Sequence, residues 1–176
     1  MRKVLSKEFF LQDAVKAAEE LLGKYLVRRL DSREELALII NEVEAYDGPE
    51  DKANHASKGK TERTEVMFKL GGVFYVYLVY GMHWMLNIVV GEKDYPAAIL
   101  LRGAGKIIGP ARLTKFLGVD KGFNKKEATI DTGLWFEDRG VTVKRESIIR
   151  TPRIGVHYAG AEWSEKPYRF RINSDG

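Results

Sequence analysis

The chain is predicted to fold as one α+β domain, and three observations point there. Its 176 residues contain no internal repeat, low-complexity tract or Pro/Ser-rich linker, so the length supplies one domain rather than two. Near the start, apolar residues recur at helical spacing. Further along, runs of β-branched and aromatic residues are joined by turns short enough to require antiparallel pairing.

Taken in order, residues 7–22 are expected to be helical, because Phe10, Ala14, Ala17, Ala18 and Leu21 fall on one stripe, Ser6 stands at the start and Gly23 follows the end. Residues 24–30 and 36–43 look like strands on either side of the polar segment D-S-R-E-E, which suggests an antiparallel pair. Residues 71–90, G-G-V-F-Y-V-Y-L-V-Y-G-M-H-W-M-L-N-I-V-V, form two strand-like arms with Gly81 between them, placing a hairpin tip at Tyr80, Gly81 and Met82. The run A-A-I-L-L-R after Pro96 is a further strand. Residues 109–118 suit a short helix, with Pro110 in its first turn and Gly118 just past its end. Strands near 141–144 and 168–172 complete the expected elements.

Composition narrows the chemistry. Hydrophobic residues make up 44% and charged residues 31%, no apolar run approaches the roughly 20 residues of a membrane span, and the first residues lack the apolar core of a signal peptide. A cytoplasmic protein without a membrane partner is expected. With no cysteine, the chain has no disulfide, thiol nucleophile, iron–sulfur cluster or cysteine zinc site. His55, His83 and His157 are too widely spaced for a local metal motif, so no metal is expected and any catalysis falls to ordinary side chains. The net charge of +4 is uneven: residues 1–90 carry 13 basic and 14 acidic side chains, and residues 91–176 carry 16 and 11. Such a balance suits an anionic partner such as nucleic acid, and equally an ordinary lysine-rich surface.

Two features can carry chemistry. Strict alternation puts Leu36, Leu38, Ile40, Glu42 and Glu44 on one side of a strand, so two carboxylates share a face with apolar residues. A carboxylate at a core edge can serve as a general base, whereas an exposed strand-end glutamate only solubilises; periodicity leaves both readings open. Glu50 and Asp51, after the Gly48-Pro49 turn, are expected to be solvated loop charges. The hairpin is the second feature. Its turn would carry Tyr80 outward beside Met82 and His83, a use of apolar surface that suits a wedge entering the minor groove, or a tip docking on its own domain or a subunit.

The segments N-E-V-E-A-Y-D-G-P-E-D-K-A-N-H-A-S, R-T-E-V-M-F, V-Y-L-V-Y-G-M-H-W-M-L-N, L-L-R and R-I-G-V-H-Y-A-G-A-E-W resemble, in order and spacing, the 3-methyladenine (alkyladenine) DNA glycosylase family. The resemblance runs from L-L-G-K-Y-L-V nearly to the end, and implies one glycosylase domain over residues 1–176. It implies a compact α+β fold around a curved antiparallel sheet with a protruding hairpin and no helix-hairpin-helix. It also implies a monofunctional enzyme that uses water to excise alkylated or deaminated purines, of the 3-methyladenine, hypoxanthine or ethenoadenine type, from double-stranded DNA, acting as a monomer without cofactor. By position, Glu44 matches the water-activating base and Arg102 the arginine that helps hold it. Tyr46, His55 and Tyr77 match the walls that stack the extruded base, and Asn87 the side chain that disfavours a guanine amino group. Val156 resembles the residue whose main-chain carbonyl contacts the water, and Tyr80 the plug that fills the emptied stack, with Met82 and His83 beside it at the groove. His83 departs from the tyrosine frequent in relatives, and the stretch between His55 and Met67 is shorter than in some, which bears on groove contacts and the pocket lip. Outside the resemblance, a nucleic-acid-binding module without catalysis would use the same hairpin and basic surface.

Overall fold

The computed structural model describes residues 1–173. In chain order the elements are β1 (Lys3–Val4), a 3-10 turn (Lys7–Phe10), α1 (Ala14–Leu21), β2 (Tyr25–Arg29), β3 (Glu35–Asp47), β4 (Phe74–Val79), β5 (His83–Val89), β6 (Ala97–Ala104), β7 (Ile107–Ile108), α2 (Pro110–Leu117), β8 (Leu134–Asp138), β9 (Ile148–Thr151), α3 (Gly160–Ser164) and β10 (Arg169–Ile172). Every strand pairing is antiparallel, in the order β1-β8-β2-β3-β6-β5-β4, with β10 added to β3, β9 to β10 and β7 to β6. The fold is the expected α+β domain, and strands separate each α-helix from the next, so no helix-hairpin-helix forms among the described residues. None of these helices is long and apolar enough to cross a membrane.

One face of the sheet carries the core. Ala14, Ala17, Ala18 and Leu21 of α1 and Leu113 and Leu117 of α2 are buried there with Ile40, Val43, Phe74, Val76, Leu86, Ile88, Ile99 and Phe136. Three alanines let α1 lie close to the strands, and each fully buried Leu, Ile or Phe contributes about 1.5–3 kcal/mol. The expected single helix over 7–22 is broken in two. Ser6 makes no side-chain cap, and the α-helix proper starts at Asp13, whose carboxylate accepts from Lys16 N at 2.9 Å. The strand expected near 141–144 is also absent. Val141 and Val143 instead pack over Gly23, whose lack of a side chain makes room for Val143 Cγ2, and the strands lie on either side of that stretch, at β8 and β9.

The long strand β3 changes partners midway. Glu35–Ile39 pair with β2, and Glu42–Glu44 pair with β10 along the same edge, while β6 runs along the other. At the change of partner the register with β6 slips on both sides of Glu42, leaving Asn41 and Arg102 as bulge residues. Gly103 makes this possible, since a Cβ there would stand 2.8 Å from Asn41 Oδ1 and 3.3 Å from Glu42 Cβ. The bulge inverts the alternation. Leu36, Leu38 and Ile40 face the core, as do Val43 and Ala45, so Glu42 and Glu44 point to the opposite face. The expectation that all five of Leu36, Leu38, Ile40, Glu42 and Glu44 share one side is thereby corrected: one inserted residue moves the carboxylates out of the core.

The hairpin forms as expected. Val79 and His83 close its ladder, Met82 N donates to Val79 O at 3.1 Å, and Tyr80 and Gly81 have φ of 52° and 66°. Two successive left-handed residues match the right-handed twist of the arms, and glycine adopts that geometry without strain.

Candidate active site

The face opposite the core holds a cavity of about 530 Å³. Its floor is a row of cross-strand neighbours: Tyr75 on β4 lies opposite Asn87 on β5, Asn87 opposite Leu100 on β6, and Leu100 opposite Glu44 on β3. The row continues past the cavity lining to Arg169 on β10, opposite Glu44. Directly paired residues project to the same face, so the ladder itself brings together positions more than fifty residues apart in sequence. Two residues along β4 from Tyr75, Tyr77 stays on that face, and Tyr46 does the same on β3.

Glu44 is fully buried, and both of its oxygens are held. Tyr46 Oη donates to Oε2 at 2.8 Å, and Ile154 N donates to Oε1 at 2.8 Å. Arg102 Nη1 stands 3.5 Å from Oε1, but its Nε donates to Glu42 Oε1 at 3.0 Å. Glu42 Oε1 also accepts from Arg169 Nε at 2.7 Å. Burial alone would raise the Glu42 carboxyl, but hydrogen bonds from the two arginines outweigh it and hold it below the usual range. Burial, with the Glu44 charge beside it, pushes the Tyr46 phenol far above the ordinary tyrosine range, so this hydroxyl remains a donor.

The aromatic wall is assembled from β4 and the 3-10 turn His55–Lys58. The His55 and Tyr77 rings meet edge-on with centroids 4.8 Å apart, and Tyr75 and Tyr77 lie 5.0 Å apart. His55 Nδ1 is 3.1 Å from Tyr75 Oη, and Asn54 caps the turn by accepting from Ala56 N. Burial, with Arg63 nearby, lowers the His55 pKa to about 4, so the imidazole is neutral at physiological pH. The Arg63 guanidinium sits 5.1 Å over the Tyr77 ring at the cavity lining.

Asn87 is buried, its Nδ2 donating to Tyr75 O at 3.1 Å, which fixes the amide on the floor. Val156 is buried too, and its carbonyl accepts from Ala159 N at 3.0 Å; in the same loop the N–H of Ile154 donates to Glu44. Tyr80 and Met82 stand out at the tip, 89% and 68% exposed, and His83 is exposed beside them. Among the described residues, no three His, Asp or Glu side chains gather as a metal ion would require.

Sequence reasoning missed one pair outright. Asp51, expected to be a solvated loop charge, is fully buried and grips Arg153 with two bonds of 2.5 and 2.8 Å. The same carboxylate accepts from Asp47 N and Ala53 N, each at 3.0 Å, tying up the turn after β3. Arg153 also donates to Ala45 O at 2.9 Å, and its guanidinium lies 4.7 Å over the Tyr46 ring. The signal was weak: an acid four residues after a strand end, and an arginine a hundred residues on. Glu42 and Arg169 were likewise missed as the groups that orient Arg102.

Residues 8–108 and 104–176 match the model of the methylpurine-DNA glycosylase family. A Legionella pneumophila (strain Lens) protein is 41% identical, the match covering 99% of this chain and 97% of that one. A Borreliella burgdorferi (strain ZS7) protein is 39% identical over 97% of each chain. A Natranaerobius thermophilus protein is 36% identical over 97% of this chain and 96% of its own. All three are provisionally named 3-methyladenine DNA glycosylases. With its resembling motifs brought to one lined cavity and matches of this extent, the chain belongs to the methylpurine-DNA glycosylase family.

Proposed function

We propose that the protein is a monofunctional DNA-repair N-glycosylase, active in the cytoplasm on double-stranded DNA as a monomer without cofactor, which flips a damaged purine into the cavity and hydrolyses its bond to the sugar. The observation that carries this reading is the buried Glu44 carboxylate, fixed by Tyr46 Oη, Ile154 N and Arg102 on the wall of an aromatic cavity.

A base inside a duplex must leave the stack before an active site can surround it, at a cost of a few kcal/mol that is smaller for damaged bases. The exposed Tyr80 fills the gap, and Met82 and His83 lie along the groove. The extruded base stacks against Tyr77, Tyr46 and His55. Each aromatic contact is worth about 1–3 kcal/mol, and tyrosine faces attract a base made cationic by alkylation. Asn87 on the floor disfavours the amino group of guanine.

As the glycosidic bond breaks, positive charge develops on the sugar. Glu44 stabilises that charge and takes the proton of the attacking water, with Arg102 holding the carboxylate. A cationic base leaves as a neutral molecule and needs no proton donor. Neutral lesions such as hypoxanthine or ethenoadenine need the leaving base to be favoured otherwise, and a neutral His55 serves by a hydrogen bond rather than by a resident proton. The basic second half of the chain supplies sequence-independent phosphate contacts, so binding weakens with salt.

The test is release of base from duplexes carrying 3-methyladenine, hypoxanthine or ethenoadenine, followed by hot alkali to break the chain at abasic sites. Strand breaks after alkali, and none before it, are expected for at least one lesion. Absence of breaks for all three refutes the reading, and breaks before alkali refute its monofunctional part.

A further inference from the structure

Beside the Arg102 ion pair, Glu44 accepts one hydrogen bond at each oxygen, and both of these bonds lead back to one residue. Oε1 accepts from Ile154 N, and Ile154 is the next residue after Arg153. Oε2 accepts from Tyr46 Oη, and the Tyr46 ring lies under the Arg153 guanidinium at 4.7 Å. Arg153 itself is anchored by the double grip of Asp51 and by Ala45 O. Its Nη2 also reaches Trp163 O at 3.2 Å, which secures the other end of the loop that follows.

We propose that Arg153, gripped by Asp51, is a positioning residue for base excision: it sets the Ile154 N–H and the Tyr46 hydroxyl at the distances that fix the Glu44 carboxylate. Arg153 touches neither the base nor the sugar in this scheme, and it acts through the two groups it orders. Among the described residues, its Nε is the one buried side-chain nitrogen or oxygen with no hydrogen-bond partner. Burying a charged group with one donor unmet is costly, and a pair kept only for stability is replaceable by apolar packing. A fixed catalytic carboxylate gives the arrangement a use that apolar side chains do not supply.

This inference rests on the reading of Glu44 as the catalytic base, and its test separates the two. Arg153→Lys keeps the charge and loses the two-pronged grip; Asp51→Asn keeps the shape and loosens the same grip from the other side. Two quantities are measured for each: affinity for a duplex containing a tetrahydrofuran abasic site, which has no base to release, and the single-turnover rate of methylated-purine release from methyl-sulfate-treated DNA. Affinity is expected to stay within about threefold while the rate falls on the order of 10- to 100-fold, the loss that a small misplacement of a catalytic group produces. Because Tyr46 works on the same carboxylate, Tyr46→Phe and Arg153→Lys together are expected to cost less than the product of their separate effects. A rate per binding-competent molecule within about twofold of wild type in both variants overturns the proposal. So does a parallel loss of affinity and rate, or of folded protein, in both variants, since the pair then only supports the domain. A wild-type protein that releases no base contradicts the functional reading instead.

Discussion

Lowering the pH tests the burial of His55 directly. In the fold its pKa is lowered to about 4, first by burial and then by Arg63, whereas an exposed histidine titrates near 6.5. Between those values the unfolded chain binds a proton that the folded protein refuses. Stability therefore rises with pH across this window: the contribution is complete above about 6.5, falls as the pH drops, and is lost once the pH reaches about 4. A difference of that size corresponds to a loss on the order of 3 kcal/mol. The perturbation is His55→Gln, which removes the titration while keeping a polar group near Tyr75 Oη. Urea unfolding of both proteins at pH 4.5, 5.5, 6.5 and 7.5 isolates the difference. Wild type is expected to lose stability relative to the variant as the pH falls below 6.5, and its His55 ring signals in NMR to stay those of neutral imidazole down to about pH 5. A His55 that titrates near 6.5 in the folded protein, with parallel stability curves, refutes the reasoning.

Two further predictions concern the sheet that builds the site. Tyr80→Ala changes a side chain that is 89% exposed, so the unfolding free energy is expected to move by no more than about 0.5 kcal/mol while lesion capture, read as single-turnover base release at limiting enzyme, falls about tenfold. A destabilised variant, or one with unchanged capture, contradicts the exposed-plug assignment. Gly103→Ala drives a methyl against Asn41 and Glu42 at the paired bulges, and is expected to cost about 1–3 kcal/mol in urea unfolding and to slow base release by displacing Arg102. A variant equal to wild type in both respects would show that the bulge does not need the glycine.

The parts of the fold that follow simple periodicity could be read in advance. The hairpin tip at Tyr80-Gly81, the Pro110–Leu117 helix with its glycine stop, and the pairing of β2 with β3 all follow from local rules of turn and cap. What escaped them depends on distant partners. The bulge at Asn41 inverts the strand, and nothing within β3 signals it; the need arises from the exchange of β2 for β10 along its edge. Asp51 looked like a loop charge because its partner, Arg153, is 102 residues away. The Ile154 N–H is a backbone donor, which any residue but proline offers, so no side-chain pattern marks it. Of the site itself, Glu44, Tyr46, His55, Tyr77 and Asn87 do line one cavity. Arg102 holds Glu44 less closely than it holds Glu42, an arrangement that the spacing of the two acids does not reveal.

The central claim is that Glu44 performs the chemistry of base release rather than binding DNA. Glu44→Gln keeps the shape of the side chain and an oxygen for one of its two donors while removing the charge and the base. Measured on the same lesion-bearing duplex, the variant is expected to bind within a few-fold of wild type and to show base release lowered by at least about 100-fold, the lower end of the range for general-base and electrostatic contributions. Full turnover by Glu44→Gln would contradict the account.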